Sequence, residues 1–157
     1  MAQPHIDRTT LLFFDSSALI ASSGSPNGGS GFLLSLCEKG YLRGAVSQPV
    51  LIESERNIRE NMIDGALSRY HQLLGAIPFE LGVIPKKRDR AGNIDLVGEK
   101  DEHVLAGATS SGADFLISLD RPLIEAVENA NLDLKALTPG DFIQEFLPKH
   151  PDFPKVW

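Results

Sequence analysis

Four acidic residues stand where the chain could gather carboxylates into one site. Asp15 follows the apolar run LLFF, and Asp120 follows the apolar run ADFLISL. Glu53 and Asp101 lie near the starts of two helix-like segments. Carboxylates that meet closely cannot all stay ionised without a counter-cation. The set therefore predicts a site for a hard divalent ion, Mg²⁺ or Mn²⁺, which prefers oxygen ligands.

Each acid also has a purely structural alternative. Asp15 and Asp120 could cap helices, because aspartate is a preferred N-cap residue. Asp101 could be a helix-start charge that the helix dipole favours, with neighbouring Glu102 as the actual ligand. Glu53 could lie on a solvated helix face. These alternatives stay open at the level of the sequence.

Two further groups compete for a place in the site. Glu55 is two positions from Glu53 and off the same helix face, so it is interpreted as a surface residue, whereas Glu53 could pair with Arg56 or Asn57 on a solvated face. His103 has carboxylate neighbours, but hard ions prefer oxygen, which favours a surface or structural histidine.

Short apolar runs alternate with helix-like segments along the chain. This alternation predicts a three-layer α/β/α sandwich around a mostly parallel sheet. Because sites in such sheets gather beyond the carboxyl ends of the strands, one edge could collect all four acids. Strands are predicted over 11–14, 42–47, 79–84, 113–119 and 132–137. Helices are predicted over 18–21, 31–39, 50–61, 64–74, from 99 or 101 to 111, 122–129 and 140–147.

Local signals mark several of these helix ends. Ser16 and Ser17 are N-cap candidates for the first helix. The stretch SSGSPNGGSG at 22–31 is interpreted as a breaker-rich loop. Thr138 is predicted to cap the last helix, with Pro139 at its first position.

Length and composition bound the class of protein. A chain of 157 residues fits one domain over 1–157, with a core of about 10–147 and an irregular tail at 148–157. No run approaches the roughly 20 apolar residues that cross a bilayer, and no signal peptide is expected. The single Cys37 excludes an internal disulfide and is expected to be buried, which favours a cytoplasmic protein.

The net charge of −6 argues against a broad basic surface for nucleic acid. One basic cluster is present nevertheless, and it includes Lys86, Lys87 and Arg88. It could contact an RNA backbone, or it could be an exposed, solvated loop. Three other arginines could add to a basic rim: Arg56, Arg59 and Arg121.

Four segments together resemble the PIN domain family. LLFFDSSALI resembles its opening strand, aspartate and short helix, and SQPVLIESERNI resembles the helix start that delivers a glutamate. KDEHVLAGATSSGADFLISLDRPLI is similar to the third element, in which two aspartates flank a helix and a strand. LDLKALTPGDFIQEFL is similar to the closing strand and helix. The resemblance covers roughly residues 10–147.

The resemblance implies a metal-dependent ribonuclease that uses Mg²⁺ or Mn²⁺. Asp15, Glu53, Asp101 and Asp120 fall on the acidic catalytic positions of the family. Asp15, Asp101 and Asp120 would be metal ligands, and Glu53 would hold a metal-bound water or help to position the nucleophile.

Two serines are expected to support these acids. Ser118 falls where the family often has threonine or serine, and Ser16 follows the first aspartate. Either hydroxyl could donate to a ligand carboxylate or to the phosphate. Leu119 departs from the pattern, because a small residue is common at that position.

The resemblance also implies partners. RNA would be the substrate, and many stand-alone PIN proteins of this size look like VapC-type toxins with a small antitoxin partner. Homodimers are common in the family as well, and no membrane partner is expected. An alternative function is a nucleic-acid-binding or assembly module with a weak or inactive site. A hydrolase with an aspartyl phosphate is disfavoured, because Ser17 stands where a second aspartate would be needed.

Overall fold

Five short strands form one sheet in the computed structural model, which describes residues 5–61, 65–83 and 96–154. The order in the sheet is β3-β2-β1-β4-β5, and all four pairings are parallel. The parallel sheet that the sequence predicts is thus confirmed. The strands are β1 (Leu11–Phe14), β2 (Arg43–Ser47), β3 (Glu80–Gly82), β4 (Phe115–Ile117) and β5 (Lys135–Leu137).

Helices follow the strands and complete the three-layer α/β/α sandwich, as predicted. A short 3-10 helix, Leu147–Lys149, closes the last helical segment. Within the described ranges the α-helices are α1 (Ser16–Gly24), α2 (Gly29–Glu38), α3 (Gln48–Asn61), α4 (Ala66–Ala76), α5 (Glu102–Ser110), α6 (Arg121–Asn129) and α7 (Pro139–Glu145).

The two central strands are buried along their whole length. Every residue of β1 and β4 is buried, because helices cover both faces of the parallel sheet. Alternation of polar and apolar residues is therefore absent from LLFF and FLI, and the uninterrupted apolar runs are what allowed the strands to be predicted.

A glycine lets α5 approach the centre of the sheet. A Cβ atom built at Gly107 would lie 2.8 Å from Cζ of Phe13, a distance that real Cβ contacts do not show. The helix that begins after Asp101 therefore packs closely on the Phe13 side chain, and most of its contacts with the sheet are to β2 and β3.

The first helix differs from the prediction at both ends. Asp15, not Ser16 or Ser17, is its N-cap residue. The helix also continues to Gly24, into the stretch predicted to be a loop. Two serines explain the difference, because Ser22 and Ser23 both donate their hydroxyl protons to the carbonyl oxygen of Leu19 and are satisfied inside the helix.

Other predictions are confirmed. Thr138 caps α7 by accepting the N–H of Asp141, with Pro139 at the first position. Cys37 is buried, and burial raises the pKa of its thiol to about 12. The basic cluster of Lys86, Lys87 and Arg88 lies outside the described residues. Across the described part of the chain, none of the helices is both long and apolar enough to cross a membrane.

Candidate functional site

The neighbouring strands β1 and β4 deliver two polar residues to one point. Phe14 pairs with Ile117 in the ladder, so the next residues, Asp15 and Ser118, emerge side by side. The Ser118 hydroxyl donates to Oδ2 of Asp15 at 2.7 Å. The backbone N–H of Asp15 donates to the carbonyl oxygen of Ile117 at 3.0 Å. The strand register therefore fixes this part of the site.

Hydroxyl and amide groups surround the Asp15 carboxylate, which is 6% exposed. Its Oδ1 accepts the N–H of Ser16 at 2.7 Å, and its Oδ2 accepts the hydroxyl of Ser17 at 3.0 Å. Ser17 in turn accepts the N–H of Leu119 at 2.9 Å. The network holds the carboxylate in one orientation.

Asp120 joins the same network through its backbone. Its N–H donates to the Ser118 hydroxyl at 3.0 Å. Its Oδ1 accepts the N–H of Leu123 at 3.2 Å, so Asp120 is the N-cap of α6. The capping alternative is therefore observed, and it occupies only one of the two carboxylate oxygens. We call the residues after β1 and β4 the strand half of the site: Asp15, Ser16, Ser17, Ser118 and Asp120.

Asp101 stands at the N-cap position of α5, but its side chain makes no capping hydrogen bond. Burial raises the pKa of its carboxyl above the ordinary 3.8, and the negative charges of Asp120 and Asp15 raise it further. Glu53 adds a smaller effect of the same sign. The other three predicted acids thus all act on Asp101. Glu102, the alternative ligand, is itself buried in the first turn of α5.

Glu53 connects the two sides of the site. Its Oε1 accepts the Ser16 hydroxyl at 2.9 Å, and its Oε2 lies 3.4 Å from Nε2 of His103. Glu55 instead forms an ion pair with Arg59 at 2.6 Å, one turn further along α3, in keeping with its interpretation as a surface residue. We call Glu53, Asp101 and His103 the helix half.

Two residues have larger places in this site than the sequence indicated. Ser17 was considered as a helix cap, yet it binds the Asp15 carboxylate and the loop after β4. His103 was set aside because imidazole is a poor ligand for hard ions, yet it contacts Glu53. Its position two residues after Asp101 was the available signal. Its Nδ1 is buried and has no hydrogen-bond partner in the part of the chain that the structure describes.

The carboxylate oxygens of the site are suitable ligands for a hard divalent ion, but their side chains stand too far apart to bind one together. Burial raises the pKa of Asp101, and the charges of three nearby carboxylates raise it further. Among residues 5–61, 65–83 and 96–154, no three acidic, histidine or cysteine side chains stand close enough to hold an ion as they are placed. The acids share one electrostatic environment without converging on a common ligand point.

The fold is shared with solved structures, although no family model and no curated protein matches the chain. The crystal structure of PAE2754 from Pyrobaculum aerophilum is similar with a TM-score of 0.60 and 18% identity, over 86% of this chain and 95% of that one. The structure of VapBC2 from Rickettsia felis, bound to a DNA fragment from their promoter, is similar with a TM-score of 0.61 and 13% identity, over 82% of this chain and 98% of that one. With the parallel sheet and its order, these likenesses show that this protein has a PIN-like fold, as the four sequence segments predicted.

Proposed function

We propose that this protein is a metal-dependent ribonuclease that hydrolyses RNA phosphodiester bonds. The main supporting observation is the environment of Asp101. Burial raises the pKa of its carboxyl, and three carboxylates from distant parts of the chain, Asp120, Asp15 and Glu53, raise it further. Repulsion on a partly buried carboxylate is costly unless a cation is present, and a perturbed carboxylate among other acids is typical of a functional site.

In this proposal Asp15, Asp101 and Asp120 hold one Mg²⁺ or Mn²⁺. The ion would lower the pKa of a bound water and stabilise charge on the scissile phosphate. Asp120 offers the oxygen that does not cap α6, and Asp101 offers a carboxylate that caps nothing. Binding would have to draw these side chains together, because they do not yet share a ligand point.

The remaining side chains would orient the reacting groups. Glu53 would accept a proton from the attacking water or hold that water in position, and the nearby imidazole of His103 restricts where its carboxylate can lie. Ser16 and Ser118 already donate to carboxylates of the site, so they would keep Asp15 and Glu53 aligned.

The likeness to VapBC2 supports a more specific proposal about partners. We infer that this protein is the toxin of a toxin–antitoxin pair, with RNA as substrate and a small antitoxin as its inhibitor. A homodimer is proposed from the family resemblance of the sequence. The RNA contacts suggested for Lys86, Lys87 and Arg88 stay a prediction.

A second function is favoured by one specific observation. The oxygens of Asp15 are occupied by amide and hydroxyl donors, and no three ligands converge within the described ranges. In a nucleic-acid-binding or assembly module with a weak or inactive site, no ion would replace these donors, and the hydrogen bonds to Asp15 would always be present. The two functions differ in RNA cleavage: a nuclease cleaves bound RNA when a divalent ion is present, and a binding module leaves it intact.

Cleavage of a labelled single-stranded RNA in Mn²⁺ and in EDTA tests the proposal. We expect cleavage in Mn²⁺ only, and we expect Asp15→Asn to lower the rate roughly 100-fold or more, because it removes a charged ligand. Asp133→Asn is the matched control, since Asp133 is exposed and stands just before β5, outside both the strand residues and the helix residues of the site. Binding of RNA without metal-dependent cleavage would establish the second function instead.

A paired substitution on α3 distinguishes the two glutamates. Glu53→Gln should lower the cleavage rate roughly tenfold or more, because it removes a proton acceptor. Glu55→Gln should leave the rate unchanged, because Glu55 pairs with Arg59 on the surface. Equal effects of the two changes would remove Glu53 from the proposed machinery.

A further inference from the structure

A cavity of about 330 Å³ lies beside the acidic site. It shares Leu119 with the network of the strand half, because the N–H of Leu119 donates to Ser17. Arg121 lines it as well, so the cavity flanks Asp120 on both sides in sequence. Its volume is within the range of small-ligand sites, about 300–1,000 Å³. Its other walls come from the start of α2 and the start of α7, chiefly Gly28, Gly29, Ser30, Thr138, Pro139 and Gly140.

A serine hydroxyl of this cavity has no protein partner among the described residues. Ser30 lines the cavity, and the residue as a whole is only 5% exposed. Its hydroxyl makes no hydrogen bond to any residue the structure describes, so it can donate to a ligand with acceptor oxygens.

The start of α2 supplies further donors beside Ser30. The first N–H groups of a helix have no partner inside the helix, and they carry partial positive charge. The N-cap residue Gly28 makes no side-chain capping bond that would satisfy them. Gly28 and Gly29 both line the cavity, so the bare first turn of a ten-residue helix borders it.

One cationic side chain completes the wall. Arg121 is exposed and makes no ion pair within the described ranges, although other arginines of the chain do. An unpaired guanidinium, an uncapped helix start and an unpaired serine hydroxyl are all donors. Together they match the several acceptor oxygens of a phosphate.

We propose that this cavity binds a phosphate group of the RNA strand next to the scissile one. The inference rests on the proposed nuclease function, since it names how that site would hold its substrate. The cavity and the acidic cluster meet at residues 119–121, so a strand that lies in the cavity would continue past Asp120. Arg121 and Ser30 would then bind and position the strand, and the acids would act on the adjacent phosphodiester.

Two pairs of variants test the proposal by binding, in EDTA, so that no cleavage is needed. Arg121→Gln is matched by Lys39→Gln, which removes an exposed cation at the far end of α2 that makes no ion pair with the residues the structure describes. Gly140→Asp is matched by Gly140→Asn, because a Cβ at Gly140 meets nothing nearer than 4.0 Å and the two side chains are of equal size. The first pair removes a positive charge, and the second adds a negative charge at constant size.

We expect Arg121→Gln and Gly140→Asp each to weaken binding of a short single-stranded RNA about tenfold, while the two controls change it less than about twofold. Inorganic phosphate should shift the backbone amide resonances of Gly29 and Ser30 in wild-type protein and not in Arg121→Gln. Thermal unfolding of each variant verifies folding, and Arg121→Gln carries the test should Gly140→Asp unfold.

The outcomes separate this inference from the proposed function. Phosphate that shifts no amide near Gly29, or test variants that bind RNA as their controls do, would overturn the phosphate site even if the protein cleaves RNA. Phosphate binding with unchanged RNA affinity would also overturn it, since the cavity would then hold a free anion only. RNA binding that depends on Arg121, without cleavage in Mn²⁺, would overturn the nuclease and keep the site.

Discussion

The two halves of the candidate site are built on different principles. In the strand half, Asp15 is 6% exposed and its carboxylate accepts bonds from three neighbouring serines. In the helix half, the Asp101 side chain makes no capping bond and Nδ1 of His103 has no partner among the described residues. The side chain of Glu53 is 45% exposed.

The strand half is held rigidly by hydrogen bonds, whereas the helix half depends on charge. The strand half follows directly from the register of β1 and β4, so ladder hydrogen bonds fix it before any ligand binds. The helix half places the Asp101 carboxylate at the start of α5, where burial and the charges of Asp120 and Asp15 raise its pKa and Lys100 offsets them only in part. A cation would therefore act mainly on the helix half.

The close packing of Gly107 in α5 on the Phe13 side chain helps to hold the two halves at one distance, and breaking it should have the largest effect. Gly107→Ala would place a Cβ 2.8 Å from Phe13 and force the helix away from the sheet. Overpacking costs up to about 3 kcal/mol, against a gain of about 1 kcal/mol in helix propensity, so we expect a net loss near 2 kcal/mol. Urea unfolding measures this change.

Gly75→Ala is the matched control, because Gly75 lies in α4 and an added Cβ meets nothing within 4 Å. That change should raise the free energy of unfolding by roughly 0.5–1 kcal/mol. If Gly107→Ala proved equally stabilising, α5 would be able to move, and the two halves would not be held at a fixed distance.

Removing one hydroxyl tests whether the strand half is as rigid as its bonds indicate. Ser118→Ala takes a donor from Asp15 and an acceptor from the N–H of Asp120. We expect a loss of about 1–2 kcal/mol in the free energy of unfolding, because buried polar groups stay unpaired. Ser68→Ala, at an exposed position of α4, should change stability by less than about 0.5 kcal/mol. A similarly small effect of Ser118→Ala would mean that water replaces its hydroxyl.

The fold could be predicted from the sequence because the buried strands are unbroken apolar runs. LLFF became β1 over the same four residues, and Pro139 after Thr138 marked the start of α7. The ends of other elements could not be predicted as well. The run at 113–119 gave a strand of three residues, Phe115–Ile117, although the backbone N–H groups of Asp114 and Ser118 still donate to the neighbouring strands.

The acids of the site could be predicted for a related reason, since the carboxyl ends of neighbouring parallel strands meet at one edge. Which hydroxyls and which histidine join them could not be predicted. The contacts of Ser17 and His103 depend on side-chain orientation across residues about 50–100 apart in the chain, and no local pattern encodes that. A cavity lined by two helix starts is likewise a property of packing alone.

The smallest expected effect is a change in melting temperature on substitution of Asp101 in the helix half. Its direction, a rise or a fall, is the informative result. The pKa of the Asp101 carboxyl is higher in the folded protein than its unfolded value near 3.8. Below pH 3.8 the protonated carboxyl therefore contributes its full stabilisation, and that contribution is lost as the pH rises through the folded pKa. Above the folded pKa, the ionised carboxylate destabilises the folded protein. In EDTA at neutral pH, Asp101→Asn should therefore melt slightly above the wild type, and the gap should close as the pH falls toward 3.8.

Addition of Mn²⁺ should reverse that order. An ion that binds the folded state raises the melting temperature of the wild type, and Asp101→Asn should lose most of the rise because it lacks a ligand charge. Asp133→Asn should follow the wild type in both buffers, since it changes net charge equally at an exposed position. A wild type that melts at the same temperature in Mn²⁺ and EDTA would show that the repulsion around Asp101 is tolerated without a cation. The helix half would then be a permanent feature of a binding module and no part of a metal centre.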